Sequence, residues 1–88
     1  MNLAFVSQPI QSFNLNKKNL GLAIRHKRVQ LGISQEELAG LCGLHRTYIG
    51  SVERGERNIS IDNMIKVSVA LECQLSEIII AAENMEEF

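Results

Sequence analysis

The stretch Ser34–Arg57, SQEELAGLCGLHRTYIGSVERGER, decides the fold. Ser34 followed three residues on by Glu37 is a capping box, which satisfies free N–H groups at the start of a helix. Leu38, Ala39 and Cys42 line one side of that helix, and Gly43 ends it where a left-handed backbone is open to glycine. A second helix follows over about His45 to Arg54, with Gly55 as its stop. The reading is two short helices joined by a tight turn, the second carrying polar and basic side chains outward.

Outward from this unit the same rules extend the pattern. Lys17–Leu31 reads as a first helix with Leu20, Ile24 and Leu31 on one stripe and Gly32 as its stop. Ser60 caps a fourth helix over Ile61–Leu71. That helix has two apolar stripes: Met64, Val67 and Leu71 on one, Ile61, Ile65 and Val69 on the other. A helix apolar on two faces in so small a domain needs a second partner. A fifth helix starts after Ser76 as its cap and holds Ile78, Ile79, Ile80, Ala81 and Ala82. No stretch alternates with the period of a strand, so the expected class is all-α with five helices. Residues 1–14 carry the only proline, Pro9, with Leu3, Phe5, Val6, Ile10 and Phe13, and are expected to form an arm, flexible or folded back over an apolar surface. Residues 15–82 form the domain and 83–88 an acidic tail.

Composition narrows the function. The chain has 88 residues, enough for one small core and no second domain. No apolar run approaches the roughly 18–20 residues that cross a membrane, and no basic segment precedes the apolar start as in a secretory signal. Cys42 and Cys73 form no CxxC pair, and His26 and His45 fall at no ligand spacing, so no metal is expected and the thiols fit a reducing cytoplasm. No nucleophile–base pair or phosphate-cradling glycine loop stands out, so the chain is not expected to be an enzyme and no cofactor is expected. The net charge of −1 hides an asymmetry. Residues 1–59 hold Lys17, Lys18, Arg25, Lys27, Arg28, Arg46, Arg54 and Arg57 against Glu36, Glu37, Glu53 and Glu56, a net of +4. Residues 60–88 hold Lys66 against Asp62, Glu72, Glu77, Glu83, Glu86 and Glu87, a net of −5. The basic half can meet phosphate while the acidic half faces away.

On a helical wheel with Ile49 turned inward, His45 and Val52 fall near it, and Thr47, Gly50, Ser51 and Arg54 fall opposite. Arg46 lies at the N-terminal edge and Tyr48 on a flank. A helix of this kind fits a major groove about 12 Å wide, where short side chains let the backbone approach and arginine can bridge guanine O6 and N7. An exposed Gly50 would allow a similar approach. The N-termini of the second and third helices suit phosphates, Gln35 adds a donor there, and Arg57, Asn58 and Ser60 can serve the far side of the groove. Lys17, Lys18, Arg25 and Lys27 read as ordinary solvated charges. Glu53 falls about 40° from the core direction, and a half-buried carboxylate needs a partner. Arg28 is the candidate, an ion pair tying the first helix to the third.

Residues 20–80 resemble the lambda-repressor-like, or Xre-type, helix-turn-helix family. The resemblance rests on IRHKRVQLGISQEELAGLCGL, on YIGSVERGERNIS and on the AL…LSEII ending. It implies a five-helix domain that binds operator DNA as a dimer, with groove-facing residues at Arg46, Thr47 and Ser51, a phosphate-contacting glutamine at Gln35, and an arginine–glutamate pair at Arg28 and Glu53. Within the family, HRTYIGSVERGERNISI is most similar to the controller proteins of restriction–modification systems. In these the segment matching Arg46-Thr47-Tyr48 touches bases and backbone, and that matching Arg57-Asn58 touches phosphate. The sequence departs from the family at His45, where a Ser or Asp usually caps the helix, and at Glu72, where a glycine often ends the fourth helix.

The expected function is therefore a sequence-specific, double-stranded-DNA-binding transcriptional regulator of bacterial or phage origin, acting in the cytoplasm as a homodimer on an operator. Base contacts are assigned to Arg46, Thr47 and Ser51, and backbone contacts to Gln35, Tyr48, Arg54, Arg57, Asn58 and Ser60. The dimer interface is assigned to Ile61, Ile65, Val69 and Ile80. RNA polymerase is a candidate further partner, blocked in repression or touched in activation, and no small-molecule ligand is expected. The alternative is a protein-interaction module, such as an antitoxin, that keeps the same fold.

Overall fold

The structure, a computed structural model, describes residues 14–85. Five helices follow one another: α1 (Lys17–Leu31), α2 (Gln35–Cys42), α3 (Arg46–Glu53), α4 (Ile61–Ala70) and α5 (Leu75–Glu83). Among the described residues there is no strand. The 1–13 part of the expected arm and residues 86–88 of the expected acidic tail lie outside them.

Each helix begins where a side chain can accept an orphan N–H. Asn16 caps α1 through the Asn19 N–H at 2.8 Å. The Ser34 hydroxyl accepts from the Glu37 N–H at 3.0 Å, while the Glu37 carboxylate accepts from the Ser34 N–H at 2.9 Å, the reciprocal box that the sequence announces. His45 caps α3 with Nδ1 accepting from the Thr47 N–H at 3.1 Å, so an imidazole does here what a hydroxyl or carboxylate does more often. Ser60 caps α4 through Asn63. The start of α5 differs from the sequence reading: the cap is Gln74, and Ser76 lies inside the helix. The Glu77 carboxylate fixes this register by accepting from the Gln74 N–H at 2.7 Å.

The core is built from Ile24, Leu38, Ile49, Val52, Val67 and Ile78, all but inaccessible to solvent. Helix α1 packs on α5 and α3, α2 packs on α3 and α4, and α4 meets α5. The two stripes of α4 separate: Met64, Val67 and Leu71 are buried, whereas Ile61, Ile65 and Val69 face solvent. The stripe read on α1 is corrected at its end. The buried positions of α1 all lie between Asn19 and Ile24, and Leu31, in the last turn beyond the crossing with α3, is exposed.

Gly21 is what lets α1 approach α3 so closely. A Cβ there would stand 2.2 Å from the Val52 carbonyl oxygen and 2.7 Å from that of Glu53. Backbone oxygens of a packed helix cannot move aside, so only glycine fits. The turn after α4 is closed by Glu72 at φ 58°, so the left-handed conformation that a glycine would supply is kept by a glutamate at some conformational cost.

Candidate nucleic-acid interface

Gly43, at φ 69°, sets the angle between α2 and α3. Its N–H donates to the Gly40 carbonyl and that of Leu44 donates to the Ala39 carbonyl at 2.9 Å, which closes the end of α2 before the chain turns. Ile49 and Val52 then anchor α3 in the core, leaving Arg46, Thr47 and Arg54 exposed on its far side, with Ser51 half-buried between them. Two shallow depressions flank this side. One is lined by Gln35, Glu36, Arg46 and Gly50, the other by His45, Tyr48, Ser51 and Arg57, and they share Thr47 and Arg54. Arg57, Asn58 and Ser60 continue the exposed polar surface into the loop before α4.

Two placements differ from the wheel. His45 precedes the helix and is exposed instead of turned to the core, because its ring is occupied in capping. Gly50 is buried, not open to a groove wall: the position of a Cβ lies 3.2 Å from Arg54 Nη1 and 3.4 Å from Gln35 Oε1, so these two side chains close over it.

Behind the surface, the structure brings Arg28 and Glu53 together. Arg28 donates from Nε to Glu53 Oε2 at 2.6 Å and from Nη2 to Oε1 at 2.9 Å, a two-pronged pair. Its Nη1 donates to the Ile33 carbonyl at 2.9 Å, which ties in the α1–α2 connection. Gln35 Nε2 is a third donor to the carboxylate, bonding Glu53 Oε1 at 2.9 Å. Side-chain exposures of 11% for Arg28 and 2% for Glu53 make this a buried pair with its hydrogen bonds filled. Hydrogen bonding to Glu53 raises the Arg28 pKa, against the opposing effect of burial.

The outward arginines have partners that the sequence reading missed. Arg46 Nη1 donates to Glu36 Oε2 at 2.8 Å, joining the starts of α3 and α2. Arg54 donates from Nε and Nη2 to the Glu56 carboxylate at 2.9 and 3.1 Å. These bonds raise Arg54 and hold the Glu56 carboxyl below its usual range. The second acid was legible as a neighbour two residues along, whereas Glu36 depends on the interhelical angle. Asn63, also missed, donates to the Tyr48 hydroxyl at 3.1 Å, and the Arg57 guanidinium lies 5.5 Å from the Tyr48 ring centre. The Ser51 hydroxyl donates to the Tyr48 carbonyl at 2.7 Å, so its oxygen is open only as an acceptor. Among the described residues no group of three or more His, Cys, Asp or Glu could hold a metal, and no helix is long and apolar enough to cross a membrane.

A polar helix presented after a capped helix and a glycine turn defines the helix-turn-helix class, and a family model described as helix-turn-helix matches residues 24–78. The chain belongs to this family, the Xre-type DNA-binding transcriptional regulators. It is 40% identical over 72 residues to the control protein C.BamHI of Bacillus amyloliquefaciens, covering 82% of this chain and 73% of that protein. Among solved structures it resembles the restriction–modification controller C.AhdI from Aeromonas hydrophila, with a TM-score of 0.68 and 44% identity over 69% of this chain and 92% of the other. It also resembles C.Esp1396I in a nucleoprotein complex, with a TM-score of 0.70 and 29% identity over 78% of this chain and 94% of that one.

Proposed function

We propose that this chain is a homodimeric reader of double-stranded operator DNA that controls transcription as a restriction–modification controller does. The observation that carries the reading is the outward Arg46–Thr47–Ser51–Arg54 side of α3, with Ser51 half-buried and the other three exposed, held from behind by the Arg28–Glu53–Gln35 network. Arg46, Thr47 and Ser51 read base edges, with Ser51 as acceptor. Gln35, Tyr48, Arg54, Arg57, Asn58 and Ser60 meet phosphates on the two walls of the groove. Relatives named as control proteins and a controller seen in a nucleoprotein complex support it.

The dimer uses Ile61, Ile65 and Val69 of α4 with Ile80 of α5, four apolar side chains that are 47–72% exposed and lie on packed neighbouring helices. A two-fold contact there sets two α3 helices about one DNA turn, roughly 34 Å, apart.

The test is selection of bound duplexes from a random pool at a stated salt concentration, followed by binding of variants. Arg46→Ala is expected to cost about 1–3 kcal/mol on the selected duplex and to relax preference at one base pair, while Arg57→Ala weakens all duplexes alike. An unchanged sequence ranking with Arg46→Ala removes that arginine from the base-reading set. Failure to enrich any duplex, with stable capture of a protein partner through the α4 face, turns the conclusion to an interaction module.

A further inference from the structure

We propose that Glu36 is a specificity-determining residue: it occupies Arg46 of α3 in an ion pair that a random duplex does not open and a matched duplex does. This rests on the reading of α3 as the DNA-reading helix. Four acids lie in the basic part of the chain, residues 1–59. Glu37 closes the capping box and Glu53 is buried against Arg28, so both serve the fold. Glu36 and Glu56 cap nothing and are exposed, and each bonds an arginine of the outward side: Glu36 with Arg46 at 2.8 Å, Glu56 with Arg54 at 2.9 Å. Arg57, in the following loop, lies against the Tyr48 ring and has no carboxylate partner among the described residues. Of the two guarded cations Arg46 is the base reader, and Arg54, just past the end of α3, is a phosphate contact.

The physical effect differs between the two kinds of duplex. Binding to arbitrary DNA draws on release of counterions from phosphates neutralised by free cations. An arginine already held by a carboxylate adds little to that release, and moving it to phosphate only exchanges one anion for another. A guanine edge offers two directional bonds in a groove, about tenfold or more in discrimination. Solvent-exposed pairs are weak enough for such a contact to open, with side-chain exposures of 66% and 72% for Arg46 and Glu36. Glu36 thus suppresses binding to random sequence more than binding to the operator, whereas Glu56, on a phosphate contact, weakens both alike.

The experiment compares wild type with Glu36→Gln and, as the phosphate-contact comparison, Glu56→Gln by fluorescence anisotropy across a salt series. The probes are a random duplex pool and the duplex that wild type enriches from it. Glu83→Gln on α5 supplies the same change of net charge away from this surface. Freeing Arg46 by Glu36→Gln is expected to steepen the salt slope on the random pool by about 0.9, which is about 8-fold tighter binding at about 0.1 M salt, while the enriched duplex gains less and the ratio falls; Glu56→Gln is expected to tighten both probes alike and keep the ratio. Equal tightening on both probes by Glu36→Gln, matched by Glu83→Gln, reduces the effect to net charge and overturns the proposal, as does an unchanged random-pool affinity of Glu36→Gln. Weaker binding of the enriched duplex by Glu36→Gln, with altered preference at one base pair, makes Glu36 a reader of cytosine N4 and also overturns it. A wild type that enriches no duplex removes the DNA-reading premise itself, an outcome visible before any variant is made.

Discussion

Arg28→Met tests how far the domain depends on the buried Arg28–Glu53 ion pair. The substitution keeps most of the side-chain volume and removes three hydrogen bonds, two to Glu53 and one to the Ile33 carbonyl. It leaves a carboxylate whose side chain is 2% exposed with Gln35 as its remaining side-chain donor. Removing one partner of a buried pair costs about 3–5 kcal/mol, and the surviving Gln35 bond places the expectation near 3. A domain of this size has about 4–11 kcal/mol of stability in all, so the variant folds but marginally. At about 4–8 °C per kcal/mol, the melting temperature falls by about 12–24 °C. Glu53→Leu is expected to cost a similar amount, because it leaves the guanidinium unpaired. The double variant replaces both charges with apolar groups and recovers most of the loss, giving a coupling energy above about 2 kcal/mol in urea unfolding. High salt should barely alter it, since ions do not screen a buried pair. A coupling below about 0.5 kcal/mol, or one abolished at 1 M salt, is the behaviour of a surface pair and rules out a buried, energetically coupled one.

Three further outcomes follow from particular positions. Gly21→Ala drives a methyl into the Val52 and Glu53 carbonyls, so a loss of about 3 kcal/mol or more is expected by thermal unfolding; a neutral result would mean that α1 and α3 are not so closely packed. Glu72→Gly should raise stability by about 0.5–1 kcal/mol, the relief of a left-handed glutamate less the extra freedom of glycine in the unfolded chain; lower stability would show that the Glu72 side chain contributes more than its backbone costs. Ile65→Lys with Val69→Lys is expected to yield a folded monomer in sedimentation, because both residues are exposed and outside the core; a dimer that persists moves the interface elsewhere.

Short-range chemistry was legible before any packing was known. Caps at Ser34 and Ser60, glycine stops at Gly32 and Gly43, and the apolar period of each helix involve residues within a few positions of one another, and these mark out five helices and the turn before α3. The Arg28–Glu53 contact was legible at longer range, since a carboxylate near the inward direction of a helix demands a partner and few cations were placed to supply it. The tertiary structure decided the rest. Gly21 reads as an ordinary glycine until the crossing of α1 and α3 is known, Gly50 is covered because Gln35 crosses from α2 to meet Arg54, one turn beyond the glycine, and the Arg46–Glu36 bond depends on the angle at Gly43. Even the start of α5 shifted by two residues, from Ser76 to Gln74, once Glu77 was free to choose the N–H it accepts. Periodicity says which way a side chain points from its own helix axis; which neighbour it meets is set by how the axes cross, and that follows from packing the whole core at once.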